Sequence, residues 1–337
     1  MSKTIIPKGY DPAASLGLYD TQAAIARIKD VFTEHLKTAL HLIRVSAPLF
    51  VDPSTGLNDD LNGVERPVSF EIKETGETAQ VVHSLAKWKR MALYRYGFAL
   101  GTGLYTDMNA IRRDEEMDNL HSIYVDQWDW EAVINRESRS VAYLKIIVNR
   151  IVGAIVDTLE RLKAIYPEIG VELSRNVSFI TTQELEDLYP DLPPKERENA
   201  YLKLHKTAFI MQIGDLLKSG EKHDGRAPDY DDWKLNGDIV FWNDVLGCAF
   251  EVSSMGIRVD AQSLDAQLTK AGCDDRRKLP FHRMIFDGTL PLTMGGGIGQ
   301  SRLCMLLLGK AHIGEVQVSL WDEQTKAACR EAGVTLL

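Results

Sequence analysis

Two apolar runs, DIVFWN at 238–243 and CAFEVSSMGIRV at 248–259, stand on either side of the turn residues Asn243 and Asp244. Runs of this kind flanking a short polar turn predict a β-hairpin. A second pair, VERPVSFEI at 64–72 and ETAQVVH at 77–83, turns around Gly76. Strands joined this way pair antiparallel, which argues against a doubly wound parallel sheet. Helical spacing supplies the other layer. Ile25, Ile28, Val31, Phe32, Leu36 and Leu40 mark one face of 21–40, and VAYLKIIVNRIVGAIVDTLERLKAIYP at 141–167 is helix-like. HLIRVSAPLF at 41–50 reads as a strand that Pro48 confines to an edge or interface. Ser84 is placed to cap a helix ending at Gly97, HSIYVDQWDWE at 121–131 alternates like a strand, and VSFITTQELEDLYP runs strand into helix. SRLCMLLLGKAHI at 301–313 reads as a buried helix. No repeat, low-complexity tract or linker divides 1–337, so one α+β domain is expected.

An apolar fraction of 45% over 337 residues allows a substantial core. The net charge of -9 is spread without a basic block, so nucleic acid is not an expected partner. Cys248, Cys273, Cys304 and Cys329 form no Cys-x-x-Cys pair and read as reduced thiols. MSKTIIPKGYDPAAS lacks the apolar stretch of a signal peptide, and no run of about 18 apolar residues suits a membrane span. The expected setting is the cytoplasm, away from membranes.

The run GGGIGQSR at 295–302 leads into a helix, where backbone N–H groups could face a phosphate beside Arg302. It lacks the Gly-Lys-Ser/Thr of a P-loop, and Arg302 stands where a dinucleotide fingerprint has its third glycine. Alone it fits a packing loop as well. Arg112, before the 121–131 strand, offers a fixed cationic fork for a phosphate or belongs to a solvated charge run. Gln127, Asp129 and Glu131 share a strand face, which marks either a wet cleft or an exposed sheet. Glu251 and Ser253 share another by the same period, and Asp238, opening the partner strand, could bring a second carboxylate to Glu251 for Mg²⁺. Gly256 permits a bulge that re-aims Arg258 as a carboxylate fork. Asp59, Asp60 and Lys89 could meet a zwitterion, although Lys89 could equally face solvent. The segment HDGRAPDYDDWK at 223–234, with Arg226, Asp229, Asp231 and Asp232, reads as a loop able to close over a site, while His83 and His121 read as structural.

Taken in order, VVHSLAKWKR, GTGLYT, LHSIYVDQWDWE, RAPDYDDW, LNGDI, FEVSSMGIRVD and GGGIGQSRL resemble the ammonia-dependent asparagine synthetases, aspartate-ammonia ligases with a class II aminoacyl-tRNA synthetase core. The resemblance covers about 59–308. It implies a largely antiparallel sheet flanked by helices, with Pro48, Arg112 and 297–302 marking the three class motifs, and a homodimer built on the first. It implies ATP contacts at Arg112, Asp238, Glu251, Ser253 and Arg302, Mg²⁺ at Asp238 and Glu251, and aspartate contacts at Asp59, Lys89, Gln127, Asp129, Asp231 and Arg258. Asp59, Arg112, Gln127 and Arg302 would carry the chemistry. The departures are a longer N-terminal lead, Asp60 where asparagine is common, and a shorter segment between Trp233 and Asn236.

The implied reaction forms β-aspartyl-AMP from aspartate and ATP and then displaces AMP with ammonia. A glutamine-using relative would need a nucleophile such as an N-terminal cysteine, whereas this chain begins Met1-Ser2-Lys3 and reaches its first cysteine at Cys248. An aspartyl- or asparaginyl-tRNA synthetase would need an anticodon-binding barrel and a basic surface, and neither is expected here. A non-catalytic amino-acid sensor would lack the phosphate-binding residues that are present.

Overall fold

The computed structural model describes residues 4–59, 61 and 65–337. Its helices are α1 (Leu18–Leu40), α2 (Ala86–Arg95), α3 (Val141–Lys163), α4 (Thr182–Leu188), α5 (Pro194–His205), α6 (Ala261–Lys270), α7 (Pro280–Phe286), α8 (Gln300–Leu307) and α9 (Glu323–Glu331). The strands are β1 (Leu42–Arg44), β2 (Phe50–Val51), β3 (Ser69–Glu71), β4 (Thr78–Val81), β5 (Gly103–Ile111), β6 (Tyr124–Val133), β7 (Ser178–Thr181), β8 (Thr207–Met211), β9 (Asp231–Asn243), β10 (Cys248–Arg258) and β11 (Thr293–Gly299). An eight-stranded sheet runs β1-β5-β6-β11-β10-β9-β8-β7, and a three-stranded sheet runs β2-β4-β3. Only the outermost pairs of the large sheet, β1 with β5 and β7 with β8, are parallel.

Burial explains the layering. The apolar stripe of α1 (Ala24, Ile28, Phe32, Leu36) and that of α3 (Leu144, Val148, Ile151, Ile155) pack with Trp128, Trp130, Phe250, Met255 and Ile298 in one core on one sheet face. Phe32 lies 4.7 Å from the Trp128 ring. Fully burying such side chains stabilises by about 1.5–3 kcal/mol each. The second face is covered in two places. Helices α4 and α5 close Ile180, Ile210 and Val240 at one end, and α2 packs on β5 and β6 at the other. The gap between them is the cleft described below.

Three local readings change. The run 41–50 is not one strand: β1 and β2 belong to different sheets, and Pro48 lies in the connection between them. Ser84 is not the N-cap of α2, a position held by Leu85; its hydroxyl donates to Asp59 Oδ2 (2.8 Å) and accepts only a long bond from the Ala86 amide (3.4 Å). The expected strand at 64–72 is confined to β3, and Val64, like Asp60, lies outside the described residues.

The N-terminal lead is stitched to the body. Asn119 accepts from the Ile5 amide (2.8 Å) and donates back to the Ile5 carbonyl (3.0 Å), while Thr4 Oγ1 lies 3.4 Å from His312 Nε2. His312 Nδ1 accepts from the Gly314 amide at 3.0 Å, which requires the neutral ring. Burial depresses its pKa to about 4. An unfolded histidine titrates near ~6.5, so this contribution is complete above that pH and is lost as pH falls toward 4. The melting temperature is therefore expected to drop over that window, and His312→Asn, whose side-chain oxygen can still accept from Gly314, is expected to drop less. Superimposable pH profiles by calorimetry would contradict this account.

Candidate active site

The alternation of β6 divides core from cleft. Trp128 and Trp130 enter the core, so Gln127, Asp129 and Glu131 point the other way. There Gln127 and Asp129 meet a cavity of ≈ 590 Å³ lined also by Asp59, Lys89, Arg112, Asp231, Glu251, Arg258 and Arg302, while Glu131 lies beneath it against Arg258.

The glycine run is the middle of the cleft floor. It forms most of β11, paired to β6 on one side and β10 on the other, and is therefore a strand where a loop was expected. Side chains from both neighbours lean across it. A Cβ on Gly295 would strike Glu131 Oε2 and come within 2.6 Å of Arg258 Nη2, and one on Gly297 would strike Gln127 Oε1. The glycines are required by close approach, with no left-handed backbone at 295–299. One of the α8 amides that could seat a phosphate is also taken, because the Ser301 amide donates to Asp126 Oδ1 at 3.0 Å.

At the Gly295 end, two buried ion networks converge. Lys89 is 1% exposed, forms an ion pair with Asp129 and donates to the Gly296 carbonyl at 2.9 Å. Burial pulls its pKa down, opposed by Asp129. The solvent-facing reading of Lys89 is thereby excluded. Arg258 donates to Glu131 from Nε (3.0 Å) and Nη2 (2.7 Å), and to Asp231 from Nη1. The two carboxylates outweigh burial and hold its pKa above the ordinary arginine value. Two of its five N–H groups remain for a ligand. Asp129 Oδ2 is buried without a partner, and Asp59 accepts from Ser84 Oγ and the Leu61 amide (both 2.8 Å).

At the Gly299 end, Arg302 Nη1 donates to the Glu251 carbonyl (3.2 Å) and lies 3.5 Å from the Glu251 carboxylate. Its Nη2 donates to His121 Nε2 at 2.6 Å, which leaves His121 Nδ1 to donate to Asp118 (2.9 Å). Arg112, just past β5, lines the cavity with a buried, unpartnered Nε. Burial would raise Glu251, but the Arg302 and Arg226 guanidiniums hold it low; burial and the nearby Glu251 charge push Asp238 up against the pull of Arg226.

Two expectations about the hairpin change here. Asp238 does not open β9 but sits mid-strand opposite Ser254, where its carboxylate is taken by Arg226. Ser253 does not share the face of Glu251. The ladder slips between Glu251 and Ser253 as well as at Gly256, so Val252 and Met255 both enter the core and Ser254 reaches the cavity. The Ser253 hydroxyl is buried and unpartnered. Of the expected ATP contacts, Asp238 and Ser253 do not line the cavity, and Glu131, Asp229 and Asp232 also lie outside its lining.

A family model described as aspartate-ammonia ligase matches residues 19–333. The chain belongs to the aspartate-ammonia ligase family. It is 60% identical to the aspartate–ammonia ligase of Ruminiclostridium cellulolyticum over 100% of both chains, and 58% identical to that of Lactobacillus acidophilus over 99% of this chain and 100% of that one. Among solved structures it resembles asparaginyl-tRNA synthetase from Pyrococcus horikoshii complexed with asparaginyl-adenylate, with a TM-score of 0.65 at 14% identity, covering 96% of this chain and 77% of that one. The fold is that of the class II aminoacyl-tRNA synthetases.

The ligase-family cleft also contains groups to which sequence reasoning gave no ligand role. His121 lines it and contacts Arg302, although its position at a strand end suggested a structural role. Asp126, which points away from Gln127 and Asp129 along the strand, organises the start of α8 through Ser301. Arg226 and Tyr230 line the cavity from the 223–230 segment, and Asp231 and Asp232 already belong to β9. Arg226 was read as part of a loop able to close over a site, and it does line the cavity.

Proposed function

We propose that this member of the aspartate-ammonia ligase family makes L-asparagine in two steps on the glycine floor, with the whole chain acting as one catalytic domain in the cytoplasm. The observation that carries the reading is the division of charge along β11: a buried cluster able to hold a zwitterion at Gly295, and Arg112 with Arg302 at the Gly299 end. Four residues of strand separate these ends by roughly 14 Å, so an amino acid and a nucleotide can lie end to end along the floor.

In the first step a β-carboxylate oxygen of aspartate attacks the α-phosphorus of ATP, and the bond to pyrophosphate breaks. Arg112 stabilises the charge on the α-phosphate, and Arg302 sits by the adenine and triphosphate. Lys89 and Arg258 hold the carboxylates of aspartate, with Asp231 and Glu131 fixing Arg258. The unpartnered Asp129 Oδ2 accepts from its ammonium, and Gln127 orients it. In the second step ammonia attacks the acyl carbon and the bond to AMP breaks. Asp59, which has no cation among its partners in the described residues, takes the released proton.

Mg²⁺ suits this donor set. No group of three or more His, Cys, Asp or Glu side chains able to hold a metal occurs among the described residues, but Asp238 and Glu251 offer hard oxygens on adjacent strands and a triphosphate supplies the rest. When bound, it would neutralise phosphate charge.

A homodimer fits the edge of the large sheet, where β1 leaves Ile43 60% exposed, and the small sheet adds the exposed pair Phe50 and Phe70. Sedimentation at a dimer mass would support it.

The test is aspartate-dependent exchange between ATP and pyrophosphate without tRNA, followed by asparagine and AMP on adding ammonium. Exchange ending in charged tRNA would overturn the proposal in favour of the synthetases whose fold it shares. Arg302→Ala is expected to lower the exchange rate roughly 100-fold, as loss of one charged transition-state contact does. Unchanged exchange would remove Arg302 from the site.

A further inference from the structure

Arg226 occupies an unusual place in the cleft. Its Nη2 donates to both oxygens of Asp238, each at 2.5 Å, and its Nη1 donates only to the neighbouring Gly225 carbonyl (3.0 Å), with Asp224 at 3.7 Å. Its Nε is buried without a partner, although the residue lines the cavity. The guanidinium therefore covers the carboxylate nominated for a divalent cation while one of its own donors goes unused. A charge-assisted contact to both oxygens is a strong interaction, and a divalent cation approaching the same carboxylate meets the repulsion of the guanidinium charge.

The surrounding chain allows Arg226 to leave without unfolding the segment that bears it. One end is pinned by His223, whose Nε2 lies 2.9 Å from Glu198 Oε1 on α5. The other is pinned by Asp229, fully buried, whose Oδ2 accepts from Lys87 Nζ (3.1 Å), His282 Nε2 (3.0 Å) and Arg276 Nη1 (3.0 Å). Between these anchors 224–228 carries Gly225 and an exposed Asp224, so a change in the arginine side chain and one flexible peptide suffices.

We propose that Arg226 is an internal cation that holds Asp238 in the nucleotide-free chain and exchanges it for the outer phosphates of ATP, so that the metal seat opens only as the nucleotide is gripped. This inference rests on the assignment of Asp238 and Glu251 to the metal. It makes Arg226 a nucleotide-binding residue and a competitor of the free metal, two roles that predict shifts of opposite sign. A nucleotide gains an arginine contact, whereas a divalent cation arriving alone must displace one.

The experiment is direct binding to the full chain without turnover. Mn²⁺ alone is titrated by electron paramagnetic resonance, and metal-free ATP by calorimetry, into wild type, Arg226→Ala, Arg226→Lys and Asp238→Asn. Arg226→Ala is expected to bind Mn²⁺ about tenfold more tightly and ATP about tenfold more weakly, with Arg226→Lys between, because lysine keeps the charge but loses the planar fork. Asp238→Asn is expected to remove the Mn²⁺ site. Tighter Mn²⁺ with weaker ATP supports the exchange. Unchanged Mn²⁺ binding in Arg226→Ala, with loss in Asp238→Asn, overturns it and leaves the metal assignment standing. Weaker binding of both ligands in Arg226→Ala overturns it as general damage. Wild-type Mn²⁺ binding in Asp238→Asn overturns both the exchange and the assignment beneath it.

Discussion

Gly295→Ala is expected to abolish aspartate-dependent pyrophosphate exchange and to lower stability by about 3 kcal/mol, a large effect for one methyl group. The added Cβ would occupy the position of Glu131 Oε2 and crowd Arg258 Nη2. Glu131 would then have to turn away from an arginine that is only 3% exposed, leaving Asp231 as its remaining carboxylate, or β11 would have to slip between its two neighbours. Both routes also strip Thr293 Oγ1 of its 2.7 Å bond to Glu131. Gly17→Ala is the matched control, since its Cβ meets nothing within 4 Å and its φ of -60° suits alanine. Chemical denaturation that places Gly295→Ala within about 0.5 kcal/mol of wild type would contradict the packing described.

Lys89→Met is expected to lower kcat/KM for aspartate roughly 1000-fold while ATP binding changes little, because Lys89 lies at the Gly295 end of the floor. Methionine keeps much of the stem's volume but strands Asp129 without its cation, at about 3 kcal/mol of stability. The double variant Lys89→Met/Asp129→Asn removes both charges together. It is expected to recover most of that stability and none of the activity, which separates substrate binding from structural support. Recovery of activity in the double variant would show that Lys89 serves only to neutralise Asp129.

Much of this arrangement could be read from the chain, and what could not has identifiable causes. Period-two alternation on β6 put Gln127, Asp129 and Glu131 on one face because two tryptophans marked the other. On β10 the same rule failed at Ser253, since an extra residue at Val252 carries no distinctive signature, whereas Gly256 announced the second irregularity. The run at 295–299 concealed its own nature: without side chains a strand shows no alternation, and glycine favours loops. Its purpose lies in Glu131 and Gln127, more than 160 residues earlier, which no local pattern reveals. Partner choice among charges was likewise hidden. Arg258 was legible as a fork, but its commitment to Glu131 and Asp231 depends on the bulged ladder, and the capture of Asp238 by Arg226 depends on a loop whose fold is set by buried pins.

The position of β11 also governs when the protein can come into being. Strands β1, β5 and β6 form one block, β7 to β10 form another, and β11 is the only strand of the large sheet that pairs with both. Until 293–299 leave the ribosome, the two blocks share no ladder, and the sheet must be completed by inserting a nearly bare strand between edges built far earlier. Such late, distant pairing is slow and leaves two edges open to wrong partners meanwhile. Ligand recognition is therefore among the last properties acquired during synthesis, and a nascent chain stalled before 293 would be two half-sheets awaiting a common spine.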